Sequence, residues 1–278
     1  MGSDQLSLTP LSPALGIQVS GVDLAAPMDE ATFSRVLQAW HDGLILLFRN
    51  QDISEAQQAA FGARFGELGK VLHQHGGRGA HPGVMYISNI VENGKLIGAL
   101  PDGEMYFHSD QCYTERPAMA TMLYAMEIPS SGGNTLFANM YKAYETLPRK
   151  VKEQIQNKKA WNVYDYAANP TKRGEVNPDA PRCAHPIVRT HPATKRKALY
   201  VNRLMTESIE GMPRAESDEL LRYLFDHSEQ PQFIYEHVWR PGDLILWDNR
   251  CTLHARTDFD ASERRKLRRV AVLGDTPV

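Results

Sequence analysis

Cysteine is scarce in this chain and does not cluster. Cys112, Cys183 and Cys251 are odd in number and far apart. They form no CxxC pair, which argues against a zinc knuckle or a disulfide framework and favours a reducing compartment. Long apolar runs are missing too: none approaches the ~18 residues of a membrane span. The opening residues Met1-Gly2-Ser3-Asp4-Gln5-Leu6 lack the basic region and apolar core of a secretory signal, and Leu6 stands where a myristoylation signal carries Ser or Thr. Net charge is nearly absent, with 31 Lys+Arg against 33 Asp+Glu giving −2. No whole-molecule field therefore draws the chain to nucleic acid or to an anionic membrane. No internal repeat or interdomain linker is visible. What remains is 278 residues, 42% hydrophobic and 23% charged, the composition of a cytoplasmic globular protein able to bury a sizeable core.

Residues 6–24 predict short strands broken by Pro10, Pro13 and Gly16. Asp29 reads as an N-cap, with Phe33, Val36, Leu37 and Trp40 following at helical spacing and Gly43 ending the helix. Residues 44–48 form a wholly apolar run, the mark of a buried strand. Ser54 and Gln57 have the spacing of a capping box opening a helix that runs to Gly66. Residues 69–104 are rich in Gly and polar residues and carry His73, His75 and His81. Their spacing is irregular for a metal site, and a loop this long predicts a lid over a pocket. Strands are expected at 119–126, 136–137, 187–190, 198–202, 233–239, 244–247 and 270–273. Helical segments are expected at 139–157, restarting at Pro148, and around Leu220, Leu221, Leu224 and Phe225. Residues 165–184 form an irregular insert. Many short strands with few helices predict one mainly β domain, a sandwich or barrel wrapped by helices, spanning 1–278.

The chemistry-bearing residues are spread along the chain. His108 and Asp110, two apart, share a face if their segment is a strand. They supply two of the three ligands in the His/His/carboxylate triad of non-haem Fe(II) oxygenases, although His-x-Asp alone occurs often by chance. His254 follows an apolar strand and an Asp-Asn-Arg turn. An isolated histidine there is usually a satisfied core residue; here it is placed to close the triad. The run from Arg264 to Arg269 is basic at five of six positions, which invites a nucleic-acid reading. Period two instead divides it, with Arg265 and Arg269 on one face and Arg264, Lys266 and Arg268 on the other. If the first face points into a barrel, two guanidiniums become carboxylate clamps, while the other three basic residues stay solvated.

His108-Ser109-Asp110, Gly132-Gly133-Asn134-Thr135, Trp247-Asp248-Asn249-Arg250 with His254, and the Arg-Arg-x-x-Arg-Arg run leading to Gly274-Asp275 together resemble the taurine / 2,4-dichlorophenoxyacetate dioxygenase family. The resemblance runs from about Leu15 to the C-terminus. It implies a double-stranded β-helix, or jelly roll, with flanking helices. It also implies an enzyme that uses Fe(II), 2-oxoglutarate and O2, commonly as a homodimer or homotetramer. Carried over by position, His108, Asp110 and His254 match the iron ligands. Thr135 and Arg265 match the pair that holds the distal carboxylate of 2-oxoglutarate, and Arg269 matches the arginine that meets the substrate's anionic group. Tyr106, Met205 and His73 are the remaining candidates for substrate contact. The C-terminal run resembles the aryloxyacetate branch more than the taurine branch, and the chain departs from the taurine enzymes at Glu104, where they have a substrate-contacting Asn, and at Met205, where they have a Phe.

The implied reaction is hydroxylation of a C–H in a small anionic substrate, with cleavage of an ether-type bond when that carbon bears a heteroatom. An alkylsulfonate or sulfate-ester substrate is the alternative. A non-oxidative jelly-roll metal protein is a further one, but it would have no need of Arg265 and Thr135 as a dicarboxylate clamp.

Overall fold

A computed structural model of the chain describes residues 6–69, 79–100, 105–165 and 177–278. Its largest element is a seven-stranded sheet in the order Ser7–Pro10, Ile17–Ser20, Ile45–Phe48, Leu244–Asp248, Ala118–Glu127, Lys266–Leu273, Val84–Ser88. All neighbouring pairs are antiparallel except Ile17–Ser20 with Ile45–Phe48. A smaller sheet has the order Ile234–His237, Thr135–Asn139, Thr252–Arg256.

The wholly buried strands Ile45–Phe48 and Leu244–Asp248 follow from this sheet being covered on both faces. On one face Ile45, Leu47, Leu123, Ala125, Ile245, Trp247 and Leu267 pack toward the smaller sheet, whose Phe137 ring lies 5.5 Å from that of Trp247, so this core lies between the two sheets. On the other face Leu46, Phe48, Met122, Leu244, Leu246, Val270 and Val272 pack against Val36 and Trp40 of one helix and Phe61 of another. Alternate residues of each strand serve the two cores, as the pleat requires. The chain is thus mainly β with flanking helices.

The two covering helices have their expected starts. In Glu30–Gly43 the Asp29 side chain accepts from the Thr32 N–H. In Glu55–Ala63 Ser54 and Gln57 form a complete capping box. Gly43, however, is the last helical residue, and Leu44 takes the left-handed conformation at φ 68°. A Cβ at Gly43 would meet the Ile17 side chain at 2.7 Å, so close helix–strand packing explains that glycine.

Several expectations need correction. The segment 69–104 is not one loop, because Val84–Ser88 is a strand paired with Lys266–Val270 and residues 91–96 form a short hairpin. Residues 70–78, including His73 and His75, and residues 101–104 lie outside the described residues. The insert at 165–184 is shorter than expected at its far end, where Arg182–Pro186 is a strand. Arg268 is not solvated. It is 5% exposed, under the helix Glu55–Ala63, where it donates to Gln58 Oε1 at 2.7 Å and to the Ile53 carbonyl at 2.6 Å. Period two assigned it to the outer face correctly, but that face is covered by a helix.

Candidate active site

The cleft lies between the two sheets. It is lined by Ile87, His108, Asp110, Leu123, Thr135, Trp247, His254, Ala255, Arg256, Arg265 and Arg269, and encloses ≈ 430 Å³ of non-atom space that runs out to solvent. Three of these residues form a cluster of donors: one ligand atom each from His108, Asp110 and His254, all within 4.8 Å of one another.

Each donor is held differently. His254 sits within the strand Thr252–Arg256, its ring 4.7 Å from that of Trp247. His108 belongs to no extended strand; it makes one isolated bridge, in which each of the two histidines donates its N–H to the other's carbonyl at 2.9 Å. Asp110 follows in a turn, so the two ligands converge by a bridge and a turn rather than by the alternation of a strand. His108 Nδ1 lies 2.8 Å from the Tyr106 carbonyl, which can only accept. That contact places the proton on Nδ1 and leaves Nε2 with a lone pair, the usual backing of a metal-ligating histidine. His254 Nε2 faces Asp110 Oδ2 at 3.9 Å.

The Asp110 carboxylate is the most supported group in the cleft. Oδ2 accepts from the Thr121 hydroxyl at 2.5 Å and from Asn249 Nδ2 at 3.4 Å; Oδ1 pairs with Arg269 at 2.9 Å. Asn249 also donates to Thr121 Oγ1 at 3.0 Å, and its Oδ1 accepts from the Asp110 N–H at 3.3 Å and the Trp247 indole at 3.0 Å. Burial alone would raise the Asp110 pKa. The Arg269 cation, with His254, His108 and Thr121, outweighs it and holds the carboxyl well below the usual carboxylate range. Burial pushes His254 down to about 3, aided by His108 and opposed by Asp110. A neutral imidazole beside an ionised carboxylate is the state that a metal ligand needs. The donor set of two imidazoles and one carboxylate, with open space beside it, fits Fe(II).

Arg265 and Thr135 line the same cleft and are buried. Gly132 and Gly133, both left-handed at φ +73° and +65°, turn the chain into the strand that begins at Thr135. A Cβ at Gly132 would stand 2.2 Å from the Asp258 carbonyl, and one at Gly133 3.1 Å from Arg265 Nε. This close approach lets Arg265 Nε donate to the Gly133 carbonyl at 3.2 Å. Thr135 Oγ1 accepts from the Trp239 indole at 3.0 Å, which leaves the hydroxyl proton available to an acceptor in the cleft.

The other candidates fare unevenly. Arg269 lines the cleft but is engaged with Asp110. Tyr106 and Met205 pack with Cys112, Tyr200 and Leu204 in a separate small cluster and are not among the cleft's lining residues. His73 lies outside the described residues. Sequence reasoning missed Thr121, Asn249, Trp239 and Arg256. Signals existed for two of them: Thr121 is a polar residue in an apolar strand, and Arg256 is two residues beyond His254 and so on its face.

A second group of potential ligands, His191, Asp248 and Cys251, is also compact. It is internally satisfied. Arg250 grips Asp248 with two bonds at 2.8 and 2.6 Å, and His191 Nε2 lies 3.0 Å from Asp248 Oδ2. His191 Nδ1 accepts from the N–H groups of Ala193 and Thr194. This cluster locks the Asp-Asn-Arg turn that leads into the His254 strand.

The comparisons with known proteins agree with this geometry. The family model described as taurine catabolism dioxygenase TauD, TfdA family matches residues 7–271. Pentalenolactone F synthase of Streptomyces avermitilis is 33% identical over 95% of this chain and 92% of its own length. The alpha-ketoglutarate-dependent 2,4-dichlorophenoxyacetate dioxygenase of Cupriavidus pinatubonensis is 33% identical over 97% of this chain and 98% of its own. The crystal structure of AAD-2 in complex with Mn(II) and N-oxalylglycine superposes with a TM-score of 0.84 at 30% identity, covering 98% of each chain.

Proposed function

This chain is a member of the TauD, TfdA dioxygenase family, and from that premise we propose that it is an Fe(II)- and 2-oxoglutarate-dependent oxygenase that hydroxylates a C–H of a small carboxylate substrate. The observation that carries the reading is the triad His108, Asp110 and His254 opening onto a cleft that also holds Thr135 and Arg265. The fold is read as the jelly roll of that family, with the triad in the cleft between its two facing sheets. Bound ferrous iron supplies the oxygen chemistry, in which 2-oxoglutarate is decarboxylated to succinate and carbon dioxide as the substrate is hydroxylated.

The chain's own residues supply position and surroundings. His108 and His254 would bind iron through Nε2, the first backed by the Tyr106 carbonyl. Asp110 would supply the carboxylate ligand, while Thr121, Asn249 and Arg269 hold its orientation. Arg265 and Thr135 take the distal carboxylate of 2-oxoglutarate, a guanidinium and a hydroxyl donating to one acceptor. Ile87, Leu123 and Trp247 give the cleft apolar walls, which strengthen these charged contacts by excluding water. Arg269 lines the same cleft, where its charge can meet a substrate anion. Hydroxylation beside an ether oxygen would give a hemiacetal, which collapses to a carbonyl and an alcohol and so cleaves that ether. A sulfonate or sulfate ester is the second reading, because a guanidinium binds any such oxyanion.

The test is oxygen uptake and succinate release with Fe(II) and 2-oxoglutarate, screened over aryloxyalkanoates, sulfonates and sulfate esters. Substrate-dependent succinate release from the wild type, lost in His108→Ala, is expected. Arg265→Ala should raise the 2-oxoglutarate requirement by about tenfold or more, for loss of a charge-assisted pair. Unchanged turnover in His108→Ala would remove the proposal.

A further inference from the structure

Arg256 has no part in the clamp just described, yet it is built into the same end of the cleft. It ends the strand Thr252–Arg256, two residues beyond His254, and therefore faces the same side. In the sheet register it stands directly opposite Thr135, as His254 stands opposite Phe137. It lines the cleft and is only 7% exposed. Its Nε has no hydrogen-bond partner among the described residues, and its one side-chain bond there is a long one, 3.3 Å, from Nη1 to the Thr257 carbonyl. No ion pair with a carboxylate is present for it among those residues. Its Cζ lies 5.5 Å from the centroid of the Phe259 ring, and Arg265 Cζ lies 5.9 Å from the same centroid.

Two guanidiniums thus share one aromatic ring at the wall of a single cleft. A buried cation without a counter-charge is costly, and Arg256 has no carboxylate partner among the described residues. Such a pair is stabilised when an anion enters between them, and one carboxylate oxygen can accept from each guanidinium. Resting on the reading of Thr135 and Arg265 as the distal-carboxylate clamp, we infer that Arg256 is a third binding residue for that carboxylate. It makes the site demand a dicarboxylic 2-oxo acid more strictly than Thr135 and Arg265 alone would. Thr135 then donates from the floor of the site, Arg265 from one side and Arg256 from the strand opposite Thr135.

The test compares two ligands by anaerobic calorimetry on the Mn(II)-loaded protein. 2-Oxoglutarate has both the chelating and the distal halves; 2-oxopentanoate has the same chelating half and chain length but a methyl in place of the distal carboxylate. Arg256→Gln should weaken 2-oxoglutarate binding by about tenfold to a hundredfold, the range for truncating a buried charged partner. It should leave 2-oxopentanoate within about twofold of wild type, since that ligand brings no charge for the guanidinium to meet. Arg256→Lys should recover part of the loss, because it restores charge without the fork. Equal affinity of wild type and Arg256→Gln for 2-oxoglutarate would overturn the inference. So would a parallel loss for both ligands, the sign of general damage to the cleft. A wild type that does not prefer 2-oxoglutarate to 2-oxopentanoate would strike the Thr135–Arg265 clamp itself, and Arg256 with it.

Discussion

His108 and His254 are joined through their backbones: each donates its N–H to the other's carbonyl at 2.9 Å, and their rings lie 4.1 Å apart. The two candidate metal ligands are therefore spaced by a main-chain contact that does not depend on either imidazole.

From this it follows that His108→Ala and His254→Ala lose metal without losing the fold. Each variant should retain the wild-type far-ultraviolet circular dichroism while Mn(II) binding, followed by calorimetry, disappears. Retained stoichiometric binding in either variant would place the metal elsewhere.

Asn249 and Thr121 touch Asp110 but supply no ligand to the triad. Groups that orient a ligand typically change metal affinity by about 10- to 100-fold when removed. Asn249→Leu and Thr121→Val are expected to weaken Mn(II) by that order. Unaltered dissociation constants would show that Arg269 alone suffices to hold the carboxylate.

Arg268 lies on the opposite face of its strand from Arg265 and Arg269, bonded to Gln58 and Ile53 beneath a helix. Arg268→Ala leaves the buried Gln58 amide and a carbonyl without their donor and opens a cavity. A loss of about 2–4 kcal/mol is expected, read as a shift of the urea midpoint. Affinity for 2-oxoglutarate should stay at the wild-type value, so a variant as stable as wild type would contradict the buried placement.

The compact group His191, Asp248 and Cys251 binds no metal on the geometry above, because Arg250 already neutralises its carboxylate. The loaded protein should hold one metal equivalent by elemental analysis, and Cys251→Ala should not lower it. Asp248→Asn should instead cost about 3–5 kcal/mol, leaving Arg250 as a buried charge without its partner. A second equivalent that vanishes in Cys251→Ala would overturn this assignment.

Stability should fall in mild acid for a defined reason. Burial lowers the pKa of His185, with the Arg189 charge adding to it. Burial also lowers that of His237, against the opposing pull of Asp243. The unfolded chain takes up protons near about pH 6.5, where these folded imidazoles do not. Stability is then full above that value and lost as the pH falls below it, by up to about 1.4 kcal/mol per unit for each such group. The melting temperature of the metal-free protein should be flat from pH 8 to 7 and decline from 6.5 to 5. A constant melting temperature across the lower interval would rule the effect out.

Local chemistry decided much of this protein in advance. The Asp29 cap, the Ser54–Gln57 box, the apolar run at 44–48 and the inward face of Arg265 and Arg269 depend on neighbours in the chain, so residue type and spacing alone made them legible. Residue type and spacing also singled out His108, Asp110 and His254 as candidate ligands, whereas Thr135 entered only through the resemblance of the whole motif set to the family. Only tertiary structure decided what covers each face and which distant groups meet. It put a helix over Arg268, a strand at 84–88 where polar composition suggested a loop, and Met205 in a cluster outside the cleft. It also turned Asn249, Thr121, Trp239 and Arg256 toward the site. Burial and hydrogen-bond partnership are properties of contacts between segments far apart in sequence, and periodicity along one segment carries no information about what lies across from it.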